Sequence, residues 1–212
     1  YDRKAFLNTS KKTVSYEEFI DRELIHFSKY DCDRSIPNLM DGLKISQRKI
    51  MFAGFKMNLN KEMKVAQFSG YTSKESGYHH GEASLQQAIT GMAQVYVGAN
   101  NANLLQPNGQ FGTRVQGGND AASPRYIYTV LTKLARTVFR DEDLPILEYL
   151  NDDGVDIEPT YYIPIIPMVL INGALGIGTG FSTNVPCHNP SDVIEHCERI
   201  IDKLNNHHPN FT

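Results

Sequence analysis

The sequence predicts a mixed α/β (α+β) chain in which a helix-turn-helix unit with a wing precedes a second unit richer in strand. Three observations carry this expectation. Short helical periods follow one another closely between residues 46 and 96, the texture between 97 and 120 turns to Asn, Gly and Gln with turn dipeptides, and an acidic stretch over 140–158 precedes a β-branched, aromatic run. At 212 residues the chain can hold one large domain or two small ones, so the division has to come from pattern rather than length.

Taken in order, residues 17–28 put Phe19, Ile20, Leu24 and Phe27 on one side at helical spacing, with Ser15 as N-cap and Glu18 completing a capping box. A helix over roughly 46–57 follows Gly42 and is expected to carry Arg48, Lys49 and Lys56 on exposed positions. Its N-terminal amides, close to those cations, suit a phosphate. Val65–Glu75 reads as a short helix, and roughly 82–96 repeats apolar residues at Leu85, Ile89, Met92 and Ala93. These closely spaced helices are those expected of a helix-turn-helix. Asn108-Gly109 and Gly117-Gly118 read as turns with Gln110–Arg114 as a strand between them, and a hairpin there is the wing of a winged-helix domain. Residues 127–139 return to helical periodicity through Ile127, Val130, Leu131, Leu134, Ala135 and Val138.

The acidic stretch is the expected domain boundary. Beyond it, Tyr161–Ile171 reads as short strands broken by Pro164 and Pro167, and Gly173, Gly176, Gly178 and Gly180 form a loop that helices do not tolerate. The segment 190–204 is a helix capped by Asn189, with Pro190 in its first position and Val193, Cys197, Ile200, Ile201 and Leu204 along one face. The closing Asn205–Thr212 stretch is polar and has no second layer to bury it.

A hydrophobic fraction of 41% with 21% charged residues belongs to a globular protein rather than a disordered tail. The best apolar run, Ile163–Leu170, is short and broken by proline, well below the roughly 18 residues of a spanning helix, so no membrane role is expected. The start, Tyr1-Asp2-Arg3-Lys4, lacks both Met and the apolar core of a secretion signal, so the chain reads as part of a longer polypeptide. Cys32, Cys187 and Cys197 are few, distant and odd in number, which argues for a reducing compartment. A net charge of −3 and a pI near 6.2 fit a nucleic-acid protein badly as averages. The distribution changes that reading: Lys44, Arg48, Lys49, Lys56, Lys61 and Lys64 cluster in one stretch and the acids in another, so one face can be basic.

Several residues have chemical content. Ser123-Pro124-Arg125-Tyr126 is suggestive of a nucleophile beside a cation, although an arginine next to a tyrosine is more often cation-π packing or a turn constraint. The His79-His80 pair before Gly81-Glu82 reads as helix capping or phosphate contact in preference to metal binding, because no third ligand is spaced for zinc. Cys187, His188, His196 and Cys197 likewise miss the spacing of a zinc site. The Gly176–Gly180 run lacks the Gly-Lys-Ser/Thr ending of a nucleotide loop.

In the order Arg34-Ser35-Ile36-Pro37, Asp41-Gly42-Leu43-Lys44, Gln47-Arg48-Lys49, Tyr78-His79-His80-Gly81-Glu82, Phe111-Gly112-Thr113-Arg114, Asp120–Ile127 and Asn172–Gly180, the chain resembles the breakage-reunion region of eukaryotic and large-DNA-virus type IIA DNA topoisomerases. The resemblance implies an N-terminal lead-in and helix over 1–27, a winged-helix DNA-cleavage domain over 28–140, and the start of a mixed α/β tower domain over 141–212. It implies that Tyr126 is the nucleophile, that Arg125, Arg34, His79 and His80 contact the scissile phosphate, and that Lys44, with Arg48 and Lys49 on the same basic stretch, contacts DNA. Ile177 falls on the isoleucine that wedges between base pairs, and its flanking glycines would let the backbone approach the minor groove.

The partners implied are double-stranded DNA, a second copy in a homodimer, and a TOPRIM domain that completes the site. Mg²⁺ would be held by that TOPRIM domain and ATP by an ATPase domain, and neither matches anything here, so the isolated chain is expected to be nearly inactive. The nucleus is the expected location, or a viral replication site in host cytoplasm. Ile45-Ser46, Asn119, Leu175 and Phe181 depart from residues frequent in the family, which bears on the shape of the DNA groove rather than the reaction. A non-catalytic winged-helix DNA-binding module and an acidic domain for protein contacts are the alternatives.

Overall fold

The computed structural model describes residues 1–207. A helical rod opens the chain: α1 (Tyr16–Phe19), a π turn (Ile20–Leu24) and α2 (Ile25–Ser35) follow without a break. Ser15 Oγ accepts from the Glu18 amide at 3.1 Å, but the Glu18 carboxylate pairs with Lys11 at 3.0 Å, so the reciprocal half of the expected capping box is not made. The rod runs beyond 28 because nothing in Lys29–Ser35 breaks it; Ile36, forced to extended backbone by Pro37, ends it. Phe19, Ile20 and Phe27 lie exposed along it.

Helices α3 (Ile45–Lys56), α4 (Val65–Glu75) and α5 (Glu82–Ala93) pack together around Ile50, Met51, Phe68, Leu85 and Ile89, all fully buried. They lean on an antiparallel sheet of β1 (Met63–Lys64), β2 (Leu105–Asn108) and β3 (Tyr128–Leu131), in the order β1-β3-β2. Helix-turn-helix and wing are therefore present, with two corrections to their elements. Gln110–Arg114 is not a strand: the wing is the irregular loop between β2 and β3, anchored by buried Phe111. Residues 127–139 are not one helix: the first part is the central strand, where buried Thr129 donates to the Gln106 carbonyl at 2.9 Å, and only α6 (Lys133–Val138), capped by Thr132, is helical.

The acidic stretch forms a 3₁₀ turn (Asp141–Ile146) and a hairpin of β4 (Tyr149–Asp152) and β5 (Val155–Pro159) packed on α3. The core crosses residue 140: Tyr162 stacks edge-on with Phe55 and Phe139 at 5.7 and 5.5 Å between ring centroids, and Met168, Ile171 and Val193 belong to the same cluster as Ile50 and Leu85. The expected strands over Tyr161–Ile171 do not form. Pro164 and Pro167 keep the segment irregular until α7 (Met168–Ile171), and the glycine-rich run that read as a loop is instead a hairpin of β6 (Ala174–Ile177) and β7 (Ser182–Val185). Helix α8 (Pro190–His207) begins as expected, with Asn189 accepting from the Ser191 amide at 3.0 Å. It buries Val193 but leaves Ile200, Ile201 and Leu204 exposed. Residues 208–212 of the polar tail lie outside the described residues.

Two cations expected on the surface are inside. Arg48 is 4% exposed and donates from Nε to Asp41 Oδ2 at 2.7 Å and from its terminal nitrogen to Oδ1 at 3.0 Å. Lys49 is 8% exposed and pairs with buried Glu158 at 2.8 Å while donating to the Ser76 carbonyl. Both charges are consumed by carboxylates, so neither offers a free cation to a phosphate. Asp41 also accepts the amides of Leu43 and Tyr162 at 2.9 and 3.0 Å, and Gly42 turns beside it at φ +70° with the Val169 backbone where a side chain would lie. The Asp-Gly pair is thus the joint between α3 and the segment after residue 160.

Candidate active site

The end of α2, the loop before α5 and the tip of β4 meet around a cleft of about 440 Å³. Tyr30 and Arg34, one helical turn apart, enter it from α2; His79 and His80 enter from the loop; Asp152 enters from β4, and buried Lys49 lies at its edge. The Tyr30 hydroxyl and His80 Nε2 are hydrogen-bonded at 2.6 Å, and the Tyr78 ring stands edge-on to His80 at 5.3 Å. His79 Nε2 lies 3.6 Å from Asp152 Oδ2. Desolvation in the cleft, and then the charges of Arg34, His79 and Lys49, hold His80 below the ordinary imidazole value. The neutral imidazole is favoured there.

Arg34 and the histidine pair line one cleft, without the Lys44, Arg48, Arg125 and Tyr126 that were expected to converge with them. Arg125 and Tyr126 occupy the turn that returns the wing to β3, closed by the Tyr126 amide donating to the Ser123 carbonyl at 2.8 Å. The start of α4 braces this turn from below, with the amides of Ala66 and Val65 donating to the Pro124 and Ile127 carbonyls at 3.0 Å each. Its other side is tied to the wing, where the Ala122 amide donates to the Gln110 carbonyl at 2.9 Å. Asp120 accepts from the Thr113 amide and hydroxyl at 2.7 and 2.8 Å, bonds that lower its carboxyl below the usual range, and Gln94 donates to the Phe111 carbonyl at 2.8 Å. Tyr126 stands 72% exposed on this support, beside exposed Arg125.

Lys44 caps the start of α3, its amide donating to Gln47 Oε1 at 2.9 Å, and lines a second cleft with Leu175 and Asn184 of the β6–β7 hairpin. Ile177 is 77% exposed at the end of β6. It is the exposed apolar tip that was expected, but its flanking glycines serve a contact inside the protein. A Cβ on Gly176 would fall 2.9 Å from the Ile36 Cα and one on Gly178 3.0 Å from the Cys32 Cα, so these glycines let the hairpin lie directly on the end of α2. Sequence reasoning missed Tyr30 and Asp152. The spacing of Tyr30 four residues before Arg34 was a usable signal, whereas Asp152 sat in the acidic stretch that read as a domain boundary.

The family of A-type subunits of DNA gyrase/topoisomerase IV matches residues 34–212. DNA topoisomerase 2 of Plasmodium falciparum is 52% identical over 200 residues, 94% of this chain and 14% of the relative. That of Arabidopsis thaliana is 56% identical over 196 residues, 92% of this chain and 13% of the relative. The crystal structure of the Plasmodium falciparum topoisomerase II DNA-binding, cleavage and re-ligation domain superposes with a TM-score of 0.85 at 52% identity, covering 94% of this chain and 27% of the other. That fold contains the same helix-turn-helix and wing followed by the start of the tower-like α/β part. With the match running through cleft, wing and hairpin alike, the chain belongs to the DNA gyrase/topoisomerase IV family of A-type subunits and corresponds to the breakage-reunion region of the type II enzymes.

Proposed function

We propose that this chain cuts and reseals double-stranded DNA as the core of an ATP-dependent type IIA topoisomerase, through a 5′-phosphotyrosyl bond at Tyr126. One observation carries the assignment: Tyr126 is the exposed phenol on a turn braced from both sides, directly after an exposed arginine. A bound phosphate would meet a nucleophile whose backbone is already held in place, which removes part of the entropic cost of alignment. The phenolic oxygen attacks phosphorus, the tyrosyl O–P bond forms, and the P–O3′ bond breaks. The phenol proton passes to a nearby acceptor and the departing 3′-oxygen gains one; the reverse sequence religates. Arg125, Arg34 and the histidines would neutralise charge on the nonbridging oxygens, each donor worth about 3 kcal/mol.

This reading requires the DNA backbone to bridge the wing turn and the cleft. Lys44 serves the backbone and Ile177 wedges the bend, while the ion pairs of Arg48 with Asp41 and Lys49 with Glu158 argue against a direct phosphate contact for either. Mg²⁺ would aid departure of the 3′-oxygen from a TOPRIM domain. ATP, the homodimer and nuclear location belong to the whole enzyme, of which this chain spans a small part.

The test is a cleavage reaction by the full-length enzyme on end-labelled DNA, denatured and mapped to the linked peptide. Tyr126→Phe keeps the ring and removes the attacking oxygen, so DNA affinity should survive while the adduct disappears. Arg125→Lys, which keeps charge but loses the planar donor fork, should slow cleavage without erasing it. A linkage through Tyr128, or an adduct persisting in Tyr126→Phe, overturns the assignment.

A further inference from the structure

The last turn of α2 faces two ways. Tyr30 and Arg34 line the histidine cleft, whereas Asp31, Cys32 and Ser35 meet the β6–β7 hairpin. At the hairpin tip, Thr179 Oγ1 donates to Asp31 Oδ2 at 2.8 Å, and Cys32 Sγ donates to the Thr179 carbonyl at 3.3 Å. Asp31 is steadied in turn by Ser35 Oγ, donating at 3.3 Å. With Gly176 and Gly178 against the helix, no side chain of β6 separates the strand from Ile36 and Cys32. Strand alternation sends Leu175 and Ile177 to the opposite, exposed side, and Phe181 is exposed at the tip.

A two-stranded hairpin is marginally stable alone. One that bends DNA works against the elastic stiffness of the duplex. The reaction to that force has to pass into the body of the protein, and here it passes into the helical turn that carries Arg34. We infer that Asp31 and Thr179 form a latch that fixes the bending hairpin to this turn, so that bending of the duplex and alignment of the scissile phosphate are coupled through α2. The inference rests on the proposed roles of Ile177 and Arg34. Asp31 and Thr179 are positioning residues, since neither reaches the reacting atoms.

Full-length enzyme carrying Thr179→Val keeps the shape of the side chain and loses the donor. Bending is read by energy transfer between dyes on the two ends of a duplex, cleavage on a denaturing gel, and affinity by titration. The variant should bind DNA as the parent does while the bent fraction and cleavage fall together by about threefold to tenfold, the range of one partly exposed hydrogen bond. Thr179→Ser restores the donor and should restore both. Asp31→Ala should match Thr179→Val, and the double variant should be no worse than either single one, as expected for two ends of one interaction. Parental bending in Thr179→Val, or independent losses that multiply in the double variant, overturns the latch. Ile177→Ala separates the layers: unchanged bending there sinks the reading of the hairpin and the latch with it, whereas reduced bending there beside parental bending in Thr179→Val sinks the latch alone.

Discussion

His80 sits among three potential cations, and this sets the sign of its response to pH. Its ordinary value is 6.5, and the cleft lowers it, first by desolvation and then through Arg34, His79 and Lys49. Just below pH 6.5 the unfolded chain binds a proton that the folded chain resists, so this group's contribution to stability is present above 6.5 and is lost as pH falls towards the folded value. Imidazole titration by NMR should give a midpoint below 6.5, and Arg34→Ala should raise it only part of the way, because desolvation remains. A midpoint above 6.5 in the parent would contradict this account of the cleft. At the same scale lies the least legible part of the site. Arg48 and Lys49 read as surface cations because helical spacing says nothing about remote carboxylates. Glu158, which neutralises Lys49, is 109 residues away in the acidic stretch that read as a domain boundary. Arg34 and the histidines were placed together by resemblance to the family rather than by any periodicity.

Among the elements, the β6–β7 hairpin depends most on small residues. Gly176→Ala would put a methyl group against the Ile36 Cα and 3.0 Å from the Pro37 Cδ, and both neighbours are stiff. Urea melts should show a loss of about 1–3 kcal/mol, the usual cost of overpacking. Gly70→Ala on the exposed side of α4, where nothing lies within 4 Å, should instead stabilise by about 0.5–1 kcal/mol. Equal effects at the two sites would show that close packing on α2 is not what Gly176 provides. The helices α3, α4, α5 and α8 were readable because each carries a long apolar period or a clear cap. The strands were not. Ile127, Val130, Leu131 and Leu134 match helical spacing by coincidence, and the partners that make β3 a strand, Met63 and Leu105–Asn108, are distant in sequence. Tyr161–Ile171 has strand composition but pairs with none of the described strands, so its prolines leave it irregular up to α7.

For the molecule as a whole, the decisive feature is a core that runs from the helix-turn-helix helices through Tyr162 to Val193, reinforced where Lys49 meets Glu158 and Arg48 meets Asp41. Such a body should unfold cooperatively. Far-UV and near-UV circular dichroism should trace one coincident thermal transition, and a separate early melting of the segment after residue 140 would contradict the continuity of the core. The wing has a different consequence. Between β2 and β3 the chain follows a long irregular path that, if free, would carry substantial conformational entropy. Its ties through Asp120, Gln94 and the start of α4 remove that entropy during folding, before any ligand is present. A partner that docked on the wing would therefore meet a backbone that needs no ordering of its own, and the frequency of productive encounters would be governed by the approach and orientation of the two bodies rather than by the slower search of a loop for its shape.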